Sequence, residues 1–451
     1  MRPPAASLSR VPSPLTPPPV AQENSSRFVR AAAFLWGCVV FMPVGLNYLG
    51  AGLVMIGLLF SAGRRERLAR FRRDPLRWPI AAFVAWTLVV LLLRPHHEET
   101  GLSLWHALRM AATLAITVLF TVEEAIWALR GFLCAALFAA VAIVLSQTVG
   151  LPDLAIWHNV TVMKGNKSIN DALLFTVVGA STAVCGLAHL GDTRDRWHWA
   201  GPAFAVTVAT GVIVTLSLPS RTSVLGLLVA LFAACVHQWR GRLHALAVAL
   251  CIGTAVAGSL VWNAPSVQEK FRLGLTEIEE AQAGAVSEGS WVVRFHMYRE
   301  TTRMMLDEPW AGGGLGSWTP EWHRRGPKLL HDYSMPHNDF LWMGAETGVP
   351  GFLVLAVIML TGVVVAWRRR DITGRLAFVA MLIALIASCV NSALRDAAIG
   401  LSLPWIAFLY LRLAHASGNP WLDVLPARIA PLFVGQAPAS DKAPARISPG
   451  A

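Results

Sequence analysis

Apolar runs long enough to approach a bilayer's thickness recur along almost the whole chain, and no other feature restricts its fold as strongly. Ile80 to Leu93, Gly131 to Leu145, Leu225 to Val236, Ala245 to Val261 and Phe352 to Trp367 are the clearest. With their flanks, each approaches the roughly 20 residues that one helical crossing requires. Charged residues make up only 14% of the 451 positions, against roughly 25% in an ordinary soluble domain. The runs predict spans at approximately 30–46, 48–63, 78–94, 102–121, 130–149, 172–190, 200–217, 223–238, 244–262, 349–367, 376–391 and 398–414. The expected fold is an all-α integral membrane protein of about 12 transmembrane helices.

A net charge of +11 would suggest nucleic acid if the basic residues formed one soluble patch. They sit instead in alternate loops: seven arginines between Arg64 and Arg77, then Arg194 with Arg196, Arg240 with Arg242, and Arg368 to Arg370 with Arg375. The positive-inside rule makes those loops cytoplasmic and puts both termini on the same side, with membrane lipids rather than nucleic acid as surroundings. Trp78, Trp105, Trp197, Trp199, Trp239, Trp262 and Trp367 fall near proposed span ends, where amphipathic rings favour the headgroup level. All six cysteines lie inside apolar runs, as small hydrophobes rather than a disulfide framework. Residues 1–27 hold seven prolines and lack a continuous apolar core, so they are read as a disordered cytoplasmic tail rather than a signal peptide.

In this register the outward loops are 95–101, 150–171, 218–222, 263–348 and 392–397, and only one is long. Residues 263–348 are expected to hold helices at about 266–282 and 290–306, then a glycine-rich turn from Gly312 to Gly316. A loop of that length with its own secondary structure is more often functional than connective. The resulting division is a tail (1–27), spans one to nine (28–262), the loop between spans nine and ten (263–348), spans ten to twelve (349–414) and a second cytoplasmic tail (415–451).

Within the long loop, Met335-Pro336-His337-Asn338-Asp339-Phe340-Leu341 puts a histidine next to the start of an apolar helix. Pro336 biases Met335 towards an extended conformation, and an imidazole near neutral pKa suits proton abstraction. A capping or satisfied polar histidine is the competing account. Arg221 stands in a very short outward loop, where its guanidinium can clamp phosphate bidentately, although an arginine at a span end is usually a snorkelling anchor. Arg109 lies about seven residues inside the fourth span, roughly 10 Å along the helix. A charge so deep needs a cavity or partner, and the apolar spans offer almost no acidic residue, which favours a phosphate-facing role.

A 100° step through the helix around 291–306 places His296, Arg299, Glu300 and Arg303 on a polar, solvated face, and Trp291, Phe295, Tyr298 and Met305 on an apolar one. Arg294 falls on the apolar side, pointing into the protein or at a ligand, and Tyr298 is a further substrate-binding candidate. Lys164 and Lys167 are weaker candidates for an anionic substrate, ordinary surface lysines being the commoner outcome. The glycine run lacks the Lys-Ser/Thr ending of a P-loop, so a tight turn is expected. His323, His331, Asp332, His337 and Asp339 show no close ligand spacing, and no metal or other cofactor is expected.

The His337-Asn338 pair, followed after nine residues by Gly348 and after two more by Gly351, resembles the signature of the O-antigen ligases, integral membrane glycosyltransferases that join polysaccharide to lipid A-core. Arg221 followed by Leu225 is similar to that family's arginine motif. The Pro309, Gly312 and Gly314 pattern is similar to a recurrent element of the wider ligase and polymerase superfamily. The resemblance implies a metal-independent, inverting transfer at the periplasmic face of the bacterial inner membrane, from undecaprenyl-pyrophosphate-linked O-antigen to lipid A-core. It implies that His337 is the catalytic centre with Asn338 beside it, and that Arg221, with Arg109 and Arg294, attends the pyrophosphate. An O-antigen polymerase or a protein O-glycosyltransferase would use the same donor. A transporter would be expected to carry several intramembrane acidic or polar residues and broken helices in matching halves, which the sequence does not clearly display.

Overall fold

The computed structural model describes residues 26–61, 63–152, 161, 165–190, 197–218, 220–242, 244, 246–248, 251, 253, 255, 265–416, 418 and 420–424. Most of both expected tails, most of the expected span 244–262, and Lys164 lie outside them. Among the described residues all regular structure is helical, because a lipid interior leaves backbone amides and carbonyls no partner but their own helix. The α-helices are α1 (Arg27–Cys38), α2 (Val44–Phe60), α3 (Arg64–Arg73), α4 (Arg77–Leu93), α5 (Thr100–Leu119), α6 (Val122–Thr148), α7 (Gly165–Leu190), α8 (Trp197–Val212), α9 (Arg221–Trp239), α10 (Pro265–Gln282), α11 (Ser290–Asp307), α12 (Trp318–Arg325), α13 (Asp339–Arg368), α14 (Ile372–Val390) and α15 (Ile399–Ala414).

Seven helical stretches among the described residues are long and apolar enough to cross a bilayer: Thr100–Leu119, Val122–Thr148, Lys167–Leu190, Ala200–Ser217, Arg221–Trp239, Asp339–Arg368 and Ile372–Val390. Several of the other expected spans form shorter apolar helices. Examples are α4 at 17 residues and α15 at 16. The long loop folds close to expectation, with α10 and α11 matching the two predicted helices and α12 added after the glycine turn.

Arginine chemistry gathers one end of the bundle. Glu124 caps its own helix through a reciprocal pair with Thr121, accepting the Thr121 amide at 2.9 Å while the Thr121 side chain accepts the Glu124 amide at 3.2 Å. Both its oxygens also take Arg67 at 2.6 Å in a fully buried fork. Removing one partner of such a pair would strand a buried charge, at a cost of about 3–5 kcal/mol. Arg70 donates to the carbonyl of Leu119, Arg240 to that of Trp367 and Arg369 to that of Ala414. The arginine-bearing ends of α3, α9 and α13 thus meet the C-terminal ends of α5 and α15. The starts of α5, α9, α13 and α15 lie at the opposite end, beside α11.

That opposite end is organised by a break in α13. Gly348 takes φ 74° and ψ −178° inside it, a backbone conformation that side-chain-bearing residues rarely adopt. The chain therefore makes a short helix from Asp339 to Thr347 and a long one beyond, with Pro350 in the new first turn where proline is tolerated. The carbonyls just before the break lose helical partners and find others: Ala345 accepts the Gly313 amide at 2.9 Å, Glu346 the Gly314 amide at 3.1 Å, and Thr347 the Trp86 indole at 2.8 Å. The freed Val349 amide donates to Pro309 at 2.7 Å. The glycine run is thus a tight turn sealing a helix end, and Gly312, at φ 63°, touches the same backbone.

A Cβ at position 348 would lie 2.5 Å from the Trp310 carbonyl carbon, and the positive φ alone costs a side-chain-bearing residue about 1–3 kcal/mol. Gly348→Ala is expected to lower the melting temperature of the detergent-solubilised protein by several degrees. Unchanged melting would contradict the backbone conformation at this position.

Candidate functional site

His337 is the residue with the least ordinary backbone in the loop: its φ of 53° places a non-glycine side chain in the left-handed region, a cost that persists only where surroundings impose it. They do so from three elements. Tyr298 on α11 shares its hydroxyl between the carbonyls of His337 at 2.9 Å and Cys389 at 3.1 Å. Asn338 caps α13 by accepting the Leu341 amide at 3.0 Å, while its Nδ2 donates to the Cys389 carbonyl at 2.8 Å. Asn391, at the end of α14, sets its Oδ1 3.4 Å from His337 Nδ1, and the Tyr333 ring stands edge-on at 6.2 Å.

With its proton on Nδ1, facing Asn391, the ring keeps the Nε2 lone pair, which has no hydrogen-bond partner among the described residues. Burial, then the charge of Arg294, push the imidazole down to about 4, with the Asn391 contact opposing them. The ring is therefore neutral near pH 7 and able to accept a proton. Burial pushes the Tyr298 phenol up to about 12, so it acts as a neutral donor that fixes the histidine's backbone.

The cationic side of the site comes from two helices. Arg294 is half-buried on α11, donating through Nε to the Val390 carbonyl at 3.3 Å and through Nη1 to Ser290. No carboxylate forms an ion pair with it among the described residues. Burial lowers its pKa first, and Arg221 lies close enough to add like-charge repulsion. Arg221 opens α9, its side chain 48% exposed, with Glu277 of α10 at 3.7 Å. Glu277 is itself held by the Trp291 amide at 2.9 Å. Two guanidiniums with one carboxylate between them leave a net positive, partly wet pocket beside a neutral imidazole. Such a pocket suits a ligand carrying several phosphate oxygens and a hydroxyl proton.

Arg221, Arg294, Tyr298 and His337 are thus brought together, whereas other sequence candidates land elsewhere. Arg109 is 4% exposed and donates to protein oxygens: Nη2 to the carbonyls of Leu394 at 2.6 Å and Asp396 at 2.8 Å, Nη1 to the Tyr48 hydroxyl at 3.0 Å. Backbone carbonyls, rather than phosphate or a buried acid, account for a cation at that depth. Asn338 spends both ends of its amide on the fold. Lys167 pairs with Asp171. On α11 the buried face is Val293, His296, Met297, Glu300 and Met304, so His296 and Glu300 are not solvated as the helical projection had them. Arg299 and Arg303 neutralise Glu300 from the rim, at 2.9 and 2.8 Å, and His296 reaches the Ala285 carbonyl at 3.0 Å. Trp291 is 41% exposed instead. Sequence reasoning missed Asn391, whose one signal was an amide side chain ending an apolar span.

Residues 203–356 match the family model described as O-antigen ligase. No curated protein matches the chain. The matched segment contains Arg221, Arg294, Tyr298, His337, Asn338, Gly348 and Gly351, and bears out the family resemblance of those motifs, while Arg109 and Asn391 fall outside it.

The His337 pKa lies below its ordinary 6.5, so the unfolded chain takes up this proton first as pH falls. The ring's contribution to stability is complete above about 6.5 and is lost as pH falls towards 4. In Arg294→Gln, His337 is expected to titrate at a higher pH than in the unaltered protein, though still below 6.5 because burial, the larger cause, remains. The pH dependence of His337 carbethoxylation, resolved by mass spectrometry, measures this, and an unmoved midpoint would separate Arg294 from the histidine.

Proposed function

We propose, with the O-antigen ligase character of residues 203–356 as the premise, that this multi-pass membrane protein transfers O-antigen from undecaprenyl pyrophosphate to a hydroxyl of lipid A-core. The observation that carries the reading is the grouping of residues from three separate elements, with Arg294 acting electrostatically on His337 and Arg221 on Arg294. Arginine groups concentrated at the far end of the bundle support a periplasmic site in the inner membrane, with that far end cytoplasmic.

In this mechanism the diphosphate of the donor rests against Arg221 and Arg294, whose fixed charges do electrostatically what a metal does in other transferases. Its negative charge opposes the field of Arg294 on His337 and raises the ring's basicity while donor is bound. Nε2 of His337 takes the proton of the acceptor hydroxyl as its oxygen attacks the anomeric carbon from the face opposite the leaving group. The new C–O bond forms as the bond from the anomeric carbon to the diphosphate oxygen breaks. The electron pair leaves with undecaprenyl diphosphate, and the configuration at the anomeric carbon inverts.

General-base assistance is typically worth about 100- to 10,000-fold, and a charge-stabilising donor a similar factor. His337→Ala and Arg221→Ala are each expected to insert normally yet lose transfer by factors in that range, leaving long polysaccharide on the carrier lipid. Normal ligation by the His337 variant would reject the assignment. Accumulation of single repeat units instead would make the protein a polymerase with the same donor.

A further inference from the structure

The chain beyond α14 runs through a series of turns, Asn391 to Ala398, whose first residue faces His337. The backbone of these turns is gathered from two sides. The two oxygens of Asp339, next but one to His337, accept the amides of Leu394 at 2.9 Å and Arg395 at 3.3 Å. On the other side the carbonyls of Leu394, Arg395 and Asp396 turn to Nη2 of Arg109, at 2.6, 3.3 and 2.8 Å. Three carbonyl dipoles directed at one point repel one another unless a cation occupies it, so the guanidinium adds to the turn's own hydrogen bonds, from the Ala393 amide to Asn391 and from the Asp396 amide to Ser392, in setting this backbone shape. Gly400 lines the same knot, and a Cβ there would come 2.3 Å from the Leu394 oxygen and 2.6 Å from Arg109 Nη2.

We propose that Arg109 is a positioning residue for His337: it fixes the Asn391–Ala398 segment, and with it the Asn391 side chain facing the imidazole and the two amides holding Asp339. The inference rests on His337 as the proton acceptor of the transfer. It also explains how a residue of α5, outside the matched segment, bears on the site. The groups around the imidazole are Arg294 and Tyr298 from α11, Tyr333 from the preceding turn, Cys389 and Asn391 from α14, and Asp339 from the start of α13. A slackened Asn391–Ala398 segment moves Asn391 and lets water reach the ring, while leaving Arg294 in place.

Two effects separate positioning from phosphate binding. A misplaced base slows the bond-making step, and displacement by about 1 Å can cost roughly 100-fold, whereas a lost phosphate ligand weakens donor binding. Arg109→Met, in full-length protein in lipid nanodiscs, is expected to lower kcat about 10- to 100-fold while KM for the lipid-linked donor stays within about twofold. Arg109→Lys keeps a cation with three donors but has a shorter reach and no second nitrogen for the Tyr48 hydroxyl, and is expected to recover part of the loss. A raised KM at unchanged kcat would hand Arg109 to the diphosphate and overturn the proposal. Should Arg109→Met not fold, Gly400→Ala presses on the same knot without removing a charge and is expected to give the same kcat signature; an unaltered kcat there also overturns it. Site-resolved carbethoxylation of His337 needs no turnover, and its pH midpoint is expected to rise in both variants as water enters. An unmoved midpoint refutes the positioning role, whereas absence of any glycosyl transfer by the unaltered protein would defeat the proposed reaction and leave this readout standing.

Discussion

Everything at the functional end of this protein follows from one interrupted helix. Breaking α13 at Gly348 exposes carbonyls that a bilayer protein cannot leave unpaired, and the Gly312–Gly316 turn and Trp86 answer them. That answer ties the loop after α11 to α4 and to the short helix Asp339–Thr347. With its C-terminal end so pinned, the short helix presents its N-terminal end, capped by Asn338, at a defined place. His337 is the residue immediately before that cap. The spacing of nine residues between the His-Asn pair and Gly348 is therefore a length: about two and a half turns of helix, set between the break and the reactive ring.

The ring and the cations beside it work against each other. Arg294 depresses the basicity of His337, and Arg221 in turn repels Arg294. In the proposed reaction a dianionic donor would relieve both repulsions at once, coupling its binding to the basicity of the imidazole by Coulomb's law.

How much of this was legible in the sequence differs by the range of the interaction. Helices α10 and α11 were readable because amphipathic spacing and turn residues are local. The spacing of His337, Gly348 and Gly351 was readable only as a family resemblance, because the helix length and the positive φ it encodes become visible with the backbone. The buried face of α11 was not, since Glu300 is tolerated inside only because Arg299 and Arg303 flank it, and a projection that sorts residues by polarity cannot foresee such neutralisation. Asn391 and the partners of Arg109 were out of reach for a stronger reason. A backbone carbonyl carries no residue identity, so a cation paired with Leu394 and Asp396 leaves no mark on either partner's sequence.

The arginines themselves supply the rule that distinguishes structure from site in this fold. Arg67 is held by Glu124, Ser61 and the Leu119 carbonyl, Arg369 by Asp371 and carbonyls beyond α15, and Arg109 by carbonyls and Tyr48. Arg67 and Arg369 are enclosed by oxygens on nearly every donor, and Arg109 commits Nη1 and Nη2 to protein oxygens while its Nε has no hydrogen-bond partner among the described residues. Arg221 differs: one carboxylate at 3.7 Å is its ion pair, and half its side chain is open. Arg294 differs in the same sense, half-buried beside Ser290 and the Val390 carbonyl, with Glu277 near but no ion pair among the described residues. Two incompletely paired guanidiniums, one half-buried and one half-exposed, thus stand near a neutral histidine, and it is this incomplete pairing that the proposed anionic donor would complete.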